Sequence, residues 1–307
     1  MKYFNIKNIY NFMADKLFIA YRACPFLSKS ADTSIFKTKF NMFKASLLSF
    51  INALNDLDYY IYFILDTVPS EYLKFIEKVI PQSKYTLEIL NNAGNRVTFI
   101  KQVDVSIKQN FSEYIYFAED DYLYYPNSIK LILDLIKYKI ADFVSPYDHP
   151  DYYKETNCLL KYNHNYKTNI IFYNNVHFRK SSSTTLTFLT NKITLIKTKN
   201  IFKSYLIKSC NENYIKLGLS DYEIWLTLTH MKFKSLNIKR TIPMYFLHPI
   251  QLLFKEKYNL YTPIPTLAIH LAKPCSEKMP YQMKLILDKN KDVINNYISD
   301  VFKNEHY

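Results

Sequence analysis

Glycine occurs only twice in the 307-residue sequence, at Gly94 and Gly218, and that scarcity excludes the phosphate-binding loops that depend on it. A P-loop or a Gly-x-Gly-x-x-Gly turn needs several residues without a Cβ, so that the backbone can close on phosphate. A chain of this composition that binds a nucleoside diphosphate must neutralise it by other means, and a carboxylate-held divalent cation is the obvious one. The four cysteines, Cys24, Cys158, Cys210 and Cys275, form no C-x-x-C pair. Their spacing argues against a zinc ribbon or a disulfide framework and for a reducing compartment. No stretch reaches the roughly 18 apolar residues of a membrane span, and the amino-terminal MKYFNIKNIYNFMADK lacks the continuous apolar core of a leader peptide. The expected location is cytoplasmic.

Hydrophobic residues make up 49% of the chain and charged residues 22%, a balance that supports a globular core. Tyrosine is abundant, at 29 residues, alongside much lysine, asparagine and isoleucine, a bias that an AT-rich coding genome would produce without help from function. The formal net charge of +13 raises anionic partners. The lysines are scattered among acids with no run of five or six, which favours a basic surface, able to touch a membrane peripherally, over a nucleic-acid binder.

Apolar runs alternate with helical periodicity through the first half. Leu17–Arg22 reads as a strand, 34–57 as a helix, Tyr60–Asp66 as a buried strand, and Pro69 as the start of a helix to about Ile80. Val97–Lys101 reads as a third strand and Tyr114–Ala118 as a fourth. A helix follows Pro126 to about Ile140, and Ala141–Pro146 is a fifth strand. This order predicts an α/β fold with a mixed, mostly parallel sheet flanked by helices, whose ligands bind beyond the carboxyl ends of the strands. The second half is less regular, with short β-type runs at Ile170–Tyr173 and Val176–Arg179, helical stretches near 198–210 and 220–230, and a proline-broken segment at 262–274. No repeat or low-complexity linker divides the chain, so residues 1–307 are expected to form one domain, with 1–150 as the ligand-binding half and 151–307 covering it.

The sharpest local feature is YIYFAEDDYLYYP at 114–126, where Glu119, Asp120 and Asp121 follow an apolar strand. Three adjacent acids repel one another, so a cation or separate hydrogen-bond partners must hold them ionised; acids that simply favour a helix amino end are the alternative. Asp66 ends another strand. Asp148, His149 and Asp151 in YDHPDYY line the same cleft or build a turn at Pro150. His177-Phe178-Arg179-Lys180 and the following SSSTTLTF combine cations with hydroxyls suited to phosphate or sugar, or form a strand with a hydroxylated face. In GLSDYEIW, Ser220 and Glu223 form a Ser-x-x-Glu capping box, and Asp221 in the first turn is also a suitable general base. His270 closes PIPTLAIH, as packed core or as a ligand.

Taken in order, EDDYL, YDHPDYY, SSSTTLTF and PIPTLAIH resemble the motifs of a bacterial-type group of GT-A-fold glycosyltransferases, across about residues 115–270. YRACP at Tyr21–Pro25 resembles that fold's first nucleotide-binding loop. The resemblance implies a GT-A fold and transfer of a sugar, hexosyl or N-acetylhexosaminyl, from a nucleoside-diphosphate sugar, UDP-sugar favoured, to a glycan or lipid-linked acceptor. It implies that Asp121 and His270 bind Mn²⁺ or Mg²⁺ in a D-x-D-like site. Tyr21, Arg22, Asp66, Glu119, Asp120, Arg179 and Thr184 would address the donor. Asp221 would be the base of an inverting reaction, with Glu223 as its rival. The lysine-containing LAKPCSEKM after His270 departs from the pattern and puts the closing loop in question. A non-catalytic nucleotide-sugar-binding protein, and a metal-dependent nucleic-acid-binding protein or nuclease, are the alternatives.

Overall fold

Alternation along the central strands divides the core in two. In β1 (Lys16–Ala23), Leu17, Ile19 and Tyr21 enter one apolar cluster while Phe18 and Ala20 enter the other. In β4 (Tyr114–Glu119), Tyr116 and Ala118 side with the first cluster, Ile115 and Phe117 with the second. A strand buried on both faces reads as a continuous apolar run, which is why both were legible in the sequence. The computed structural model describes residues 15–27, 31–153, 168–204, 220–230, 238–255, 257–272 and 279–298. Cys158, Cys210, Cys275 and Gly218 lie outside the described residues, as does 273–278 of the closing segment.

The structure is a mixed α/β arrangement around a nine-stranded sheet in the order β3-β2-β1-β4-β9-β6-β10-β8-β7. β2 (Asp58–Asp66), β3 (Tyr85–Leu90) and β4 join β1 in a parallel block. β6 (Phe143–Val144) and β10 (Leu260–Ile264) form a further parallel pair, while β7 (Ile170–Tyr173), β8 (Val176–Ser181) and β9 (Phe188–Asn191) pair antiparallel. Helix α1 (Lys39–Leu54) begins where the Thr38 hydroxyl accepts from the Asn41 amide, 3.1 Å away, and ends at Asn55 with φ 53°. Its Phe43, Leu47, Phe50 and Leu54 repeat at helical spacing and join the first cluster. Each such large side chain taken from water stabilises the fold by about 1.5–3 kcal/mol. α2 (Ser70–Val79), starting after Pro69 as expected, and α4 (Ser128–Lys137) complete the first half with α3 (Gly94–Lys108).

The expected strand at Val97–Lys101 is instead part of α3, and the third strand is β3, upstream of it. The β-branched and aromatic VTFIK run misleads because its local propensity is overridden. Phe99, Ile100 and Val103 face the second cluster at helical spacing, and Asp66 accepts from the Ala93 and Gly94 amides at 2.9 and 2.7 Å, just where α3 starts. β3 was missed because it is only half-buried, with polar residues interleaved. β9 lay hidden in the Ser/Thr run. Two short strands, β5 (Tyr122–Tyr124) and β11 (Ala268–His270), pair antiparallel in a separate ribbon. α5 (Lys192–Lys203), α6 (Asp221–Thr229), α7 (Ile238–Leu247) and α8 (Pro249–Phe254) follow in the second half, with helix Pro280–Lys289 near the end of the described chain. Among the described residues, no helix is long and apolar enough to cross a membrane.

Candidate active site

β1 leads outward to β2 and β3, and the chain then returns to add β4 on the other side of β1. That reversal leaves a crevice beyond the carboxyl ends of the strands, where helix connections diverge. A cleft of about 360 Å³ opens there, lined by Arg22, Lys39, Asp66, Glu119, Asp120 and Asp121 among others. The triad of acids therefore does face a cavity, and each acid has a different environment.

Glu119 is engaged on both oxygens. One pairs with the Arg22 guanidinium, and the other accepts from the Thr187 hydroxyl at 2.7 Å. Arg22 also donates to the Asn95 carbonyl at 2.8 Å and lies over the Phe99 ring at 5.7 Å. Asp120 is likewise held: Oδ1 accepts from Lys39 Nζ at 2.8 Å and Oδ2 from the Cys24 amide at 3.0 Å. Burial works against the Lys39 charge, but the Asp120 and Asp121 carboxylates outweigh it and raise its pKa, so the ammonium is a fixed cation inside the cleft.

Asp121 is the exception. Its Oδ2 lies 3.2 Å from His270 Nε2, whereas Oδ1 is buried with no hydrogen-bond partner. Burial pushes its carboxyl upward, yet the charges of His270, Lys39 and Arg22 prevail and hold it well below the usual carboxylate range. The β5–β11 ribbon places this pair, since it sets His270 opposite Tyr122 and lets the Leu271 amide donate to the Asp121 carbonyl at 2.8 Å. Tyr122 stacks on the His270 ring, 4.7 Å between centroids at 13°. Residues 149 positions apart are thereby fixed side by side.

An ionised carboxylate oxygen without a partner in a buried setting is costly, and a hard cation would satisfy it. Among the described residues no three His, Cys, Asp or Glu side chains converge as a ready-made cage. The Asp121–His270 pair suits a Mg²⁺- or Mn²⁺-type ion only if ligand phosphate and water complete the shell, which is the usual habit of Mg²⁺ at phosphate sites.

The remaining sequence candidates divide. Asp66 lines the cleft, but both its oxygens serve the start of α3. Tyr21 is fully buried, its hydroxyl 3.1 Å from Ser46 Oγ among Phe43, Phe50 and Phe63, and so belongs to the core. Arg179 forms a second buried cluster, 3.3 Å from Asp148 Oδ1 and 2.7 Å from the Tyr153 hydroxyl. Burial pushes the Asp148 carboxyl up to about 6 even though Arg179 opposes the rise. Thr184 is buried with its hydroxyl unpartnered. Glu223 accepts from the Ser220 amide at 2.8 Å, which fulfils the capping box expected from the sequence. Asp221, at the start of α6, accepts from the Tyr222 amide at 2.9 Å. Its pKa is raised first by burial and further by the Glu119 and Glu223 carboxylates, so it sits within reach of the acidic cluster's field.

Lys39, Asn95, Thr187 and Tyr122 were not singled out from sequence. Thr187 and Tyr122 lie within the SSSTTLTF and EDDYL segments, and Lys39 left a signal of its own: a lysine in the first turn of a helix opposes the macrodipole, and α1 has no acid there to offset it.

No family model matches the chain, and no curated protein matches it. Many solved structures align with it, three of which illustrate the likeness. The crystal structure of S. aureus TarS 1-349 does so at 13% identity and a TM-score of 0.38, over 89% of this chain; the chain spans 65% of that structure, slightly under two-thirds of its length. The 4-diphosphocytidyl-2C-methyl-D-erythritol synthase of Anaerococcus prevotii aligns over 76% of this chain and 95% of its own, at 9% identity and a TM-score of 0.35. A Desulfovibrio desulfuricans G20 protein that carries a nucleotide-diphospho-sugar transferase description aligns over 43% of this chain and 58% of its own, at 11% identity and a TM-score of 0.31.

Proposed function

We propose that the chain is a cation-assisted glycosyltransferase acting on a nucleoside-diphosphate sugar, with UDP-sugar the favoured donor. The observation that carries this reading is the orphaned Asp121 Oδ1, beside His270 and in a cleft that also holds the Lys39 and Arg22 cations. Asp121 and His270 would hold Mn²⁺ or Mg²⁺, which supplies Lewis-acid stabilisation of the charge that builds on a leaving diphosphate. His270 Nε2, 3.2 Å from Asp121 Oδ2, would serve such an ion only as a neutral imidazole, so metal-assisted donor binding would weaken in acid.

The chain's own groups do the rest. Lys39 and Arg22 are pre-placed positive charges in a partly water-excluded cleft, the kind of contribution that counts at the transition state. Because Lys39 and the Cys24 amide occupy Asp120, that acid orients the cleft wall rather than competing for the cation. As the acceptor oxygen bonds to the anomeric carbon and the bond to the diphosphate breaks, the acceptor proton passes to Asp221. Burial and neighbouring carboxylates make Asp221 a better proton acceptor than a surface aspartate. Attack from the face opposite the diphosphate inverts the anomeric centre. Glu223 is the weaker candidate for base, because its carboxylate is committed to Ser220.

Thermal unfolding against a panel of nucleotide sugars, each with and without Mn²⁺, tests the reading. Donor at a hundredfold over its Kd adds about 2.7 kcal/mol of stability. Asp121→Asn should lose the metal-dependent part of that gain. Asp221→Asn should keep the gain and lose sugar transfer. A wild-type chain indifferent to every nucleotide sugar in the presence of Mn²⁺ refutes the proposal.

A further inference from the structure

Helices α7 and α8 are apolar on two faces. Met244 is fully buried in the second core cluster, and Leu247 and Leu252 pack against it. The opposite face should then be polar in a helix pair that meets only water. Instead, α7 exposes Ile242, Tyr245 and Phe246, and α8 exposes Ile250, Leu253 and Phe254. Both triplets have the spacing i, i+3, i+4, so each forms one stripe along its helix. The exposure is large at the tips, 71% for Phe246 and 81% for Phe254. Clustered aromatics at such exposure mark a surface that something covers.

The charges around the stripe identify what. Lys255 and Lys257 follow the last residue of α8 within three positions. Lys255 and Lys257 are exposed beside Phe254. An apolar stripe with cations at its end has the composition of a segment lying in the plane of a bilayer, with its aromatics at the acyl boundary and its lysines among anionic headgroups. A second copy of the chain fits worse, because an isologous contact would bring two bodies of formal charge +13 and their basic rims face to face. We infer that the α7–α8 face is a docking surface for a membrane carrying anionic lipid. The consequence for the site is geometric. α7 and α8 both pack on α6, whose first residue is Asp221, so docking holds that end of the molecule against the bilayer.

Co-sedimentation of the full chain with vesicles tests this without reference to catalysis. The chain should pellet with vesicles of equal parts phosphatidylcholine and phosphatidylglycerol and stay in solution with phosphatidylcholine alone. Phe246→Ser with Phe254→Ser should weaken binding about tenfold or more. Lys255→Gln and Lys257→Gln should each weaken it about fivefold. All four residues are exposed or at the surface, and unchanged thermal unfolding confirms that each variant is folded. Failure of the wild type to pellet with the mixed vesicles overturns the inference, as does undiminished binding by both the phenylalanine and the lysine variants. A wild-type dimer in sedimentation velocity that the phenylalanine variant dissolves assigns the face to a second copy and overturns it too.

Discussion

Replacing Lys39 by methionine tests the electrostatic reading of the cleft most directly. The ammonium is 2.8 Å from Asp120 Oδ1, and both side chains are about nine-tenths buried, at 10% and 9% exposure. The change leaves Asp120 with only the Cys24 amide, next to the ionised Asp121. Removing one member of a buried pair costs about 3–5 kcal/mol, because the partner charge stays uncompensated. Against a total stability of roughly 5–15 kcal/mol, that is a large fraction. Replacing both members by neutral groups is far milder, so Lys39→Met with Asp120→Asn should recover most of the loss. Urea unfolding at neutral pH measures both differences. Acid should narrow the gap between wild type and Lys39→Met, since a lone buried Asp120 escapes its penalty by taking a proton. In the wild type, the raised Lys39 pKa sets the opposite window: its contribution is complete below about pH 10.4 and is lost as the pH climbs through the folded value. A single-variant cost under about 1 kcal/mol, or a double variant no more stable than the single one, would show that the pair does not supply the charge compensation assigned to it.

Asp148, buried and titrating at about 6 in the folded chain, binds its proton more tightly folded than unfolded. Its contribution is therefore greatest below the unfolded value of about 3.9 and fades as pH rises through 6. That makes about 2 kcal/mol of stability lost between pH 4 and pH 7, a slope that Asp148→Asn should abolish in unfolding measured at the two pH values. Asp66→Asn should destabilise by about 1–3 kcal/mol, by weakening a charge-assisted bond to the Ala93 and Gly94 amides, and hydrogen exchange should rise first in the opening turn of α3. Tyr122→Leu should leave global stability within about 2 kcal/mol but broaden the His270 ring resonances, since the stack at 4.7 Å is what fixes that ring beside Asp121; an unchanged His270 signal would remove Tyr122 from the site's support.

The sequence by itself determined three of the four strands of the parallel block of the sheet. β1, β2 and β4 are buried runs whose side chains read the same from either face, and strands ending in Asp66 and Glu119 announced where a crevice would open. The Ser220–Glu223 cap was equally legible, because both partners lie within one helical turn. Tertiary structure alone decided that VTFIK is helical, because capping by a residue some thirty positions away and burial against the second cluster outweigh local β propensity. It also decided which acid is unsatisfied. Glu119, Asp120 and Asp121 are equivalent in sequence, and only the arrival of Arg22, Thr187, Lys39 and the Cys24 amide on the first two leaves Asp121 with a bare oxygen. Local pattern records which residues can be ionised. The free energy of a buried charge depends on neighbours brought from distant parts of the chain, and those neighbours are fixed only when the sheet and the β5–β11 ribbon close.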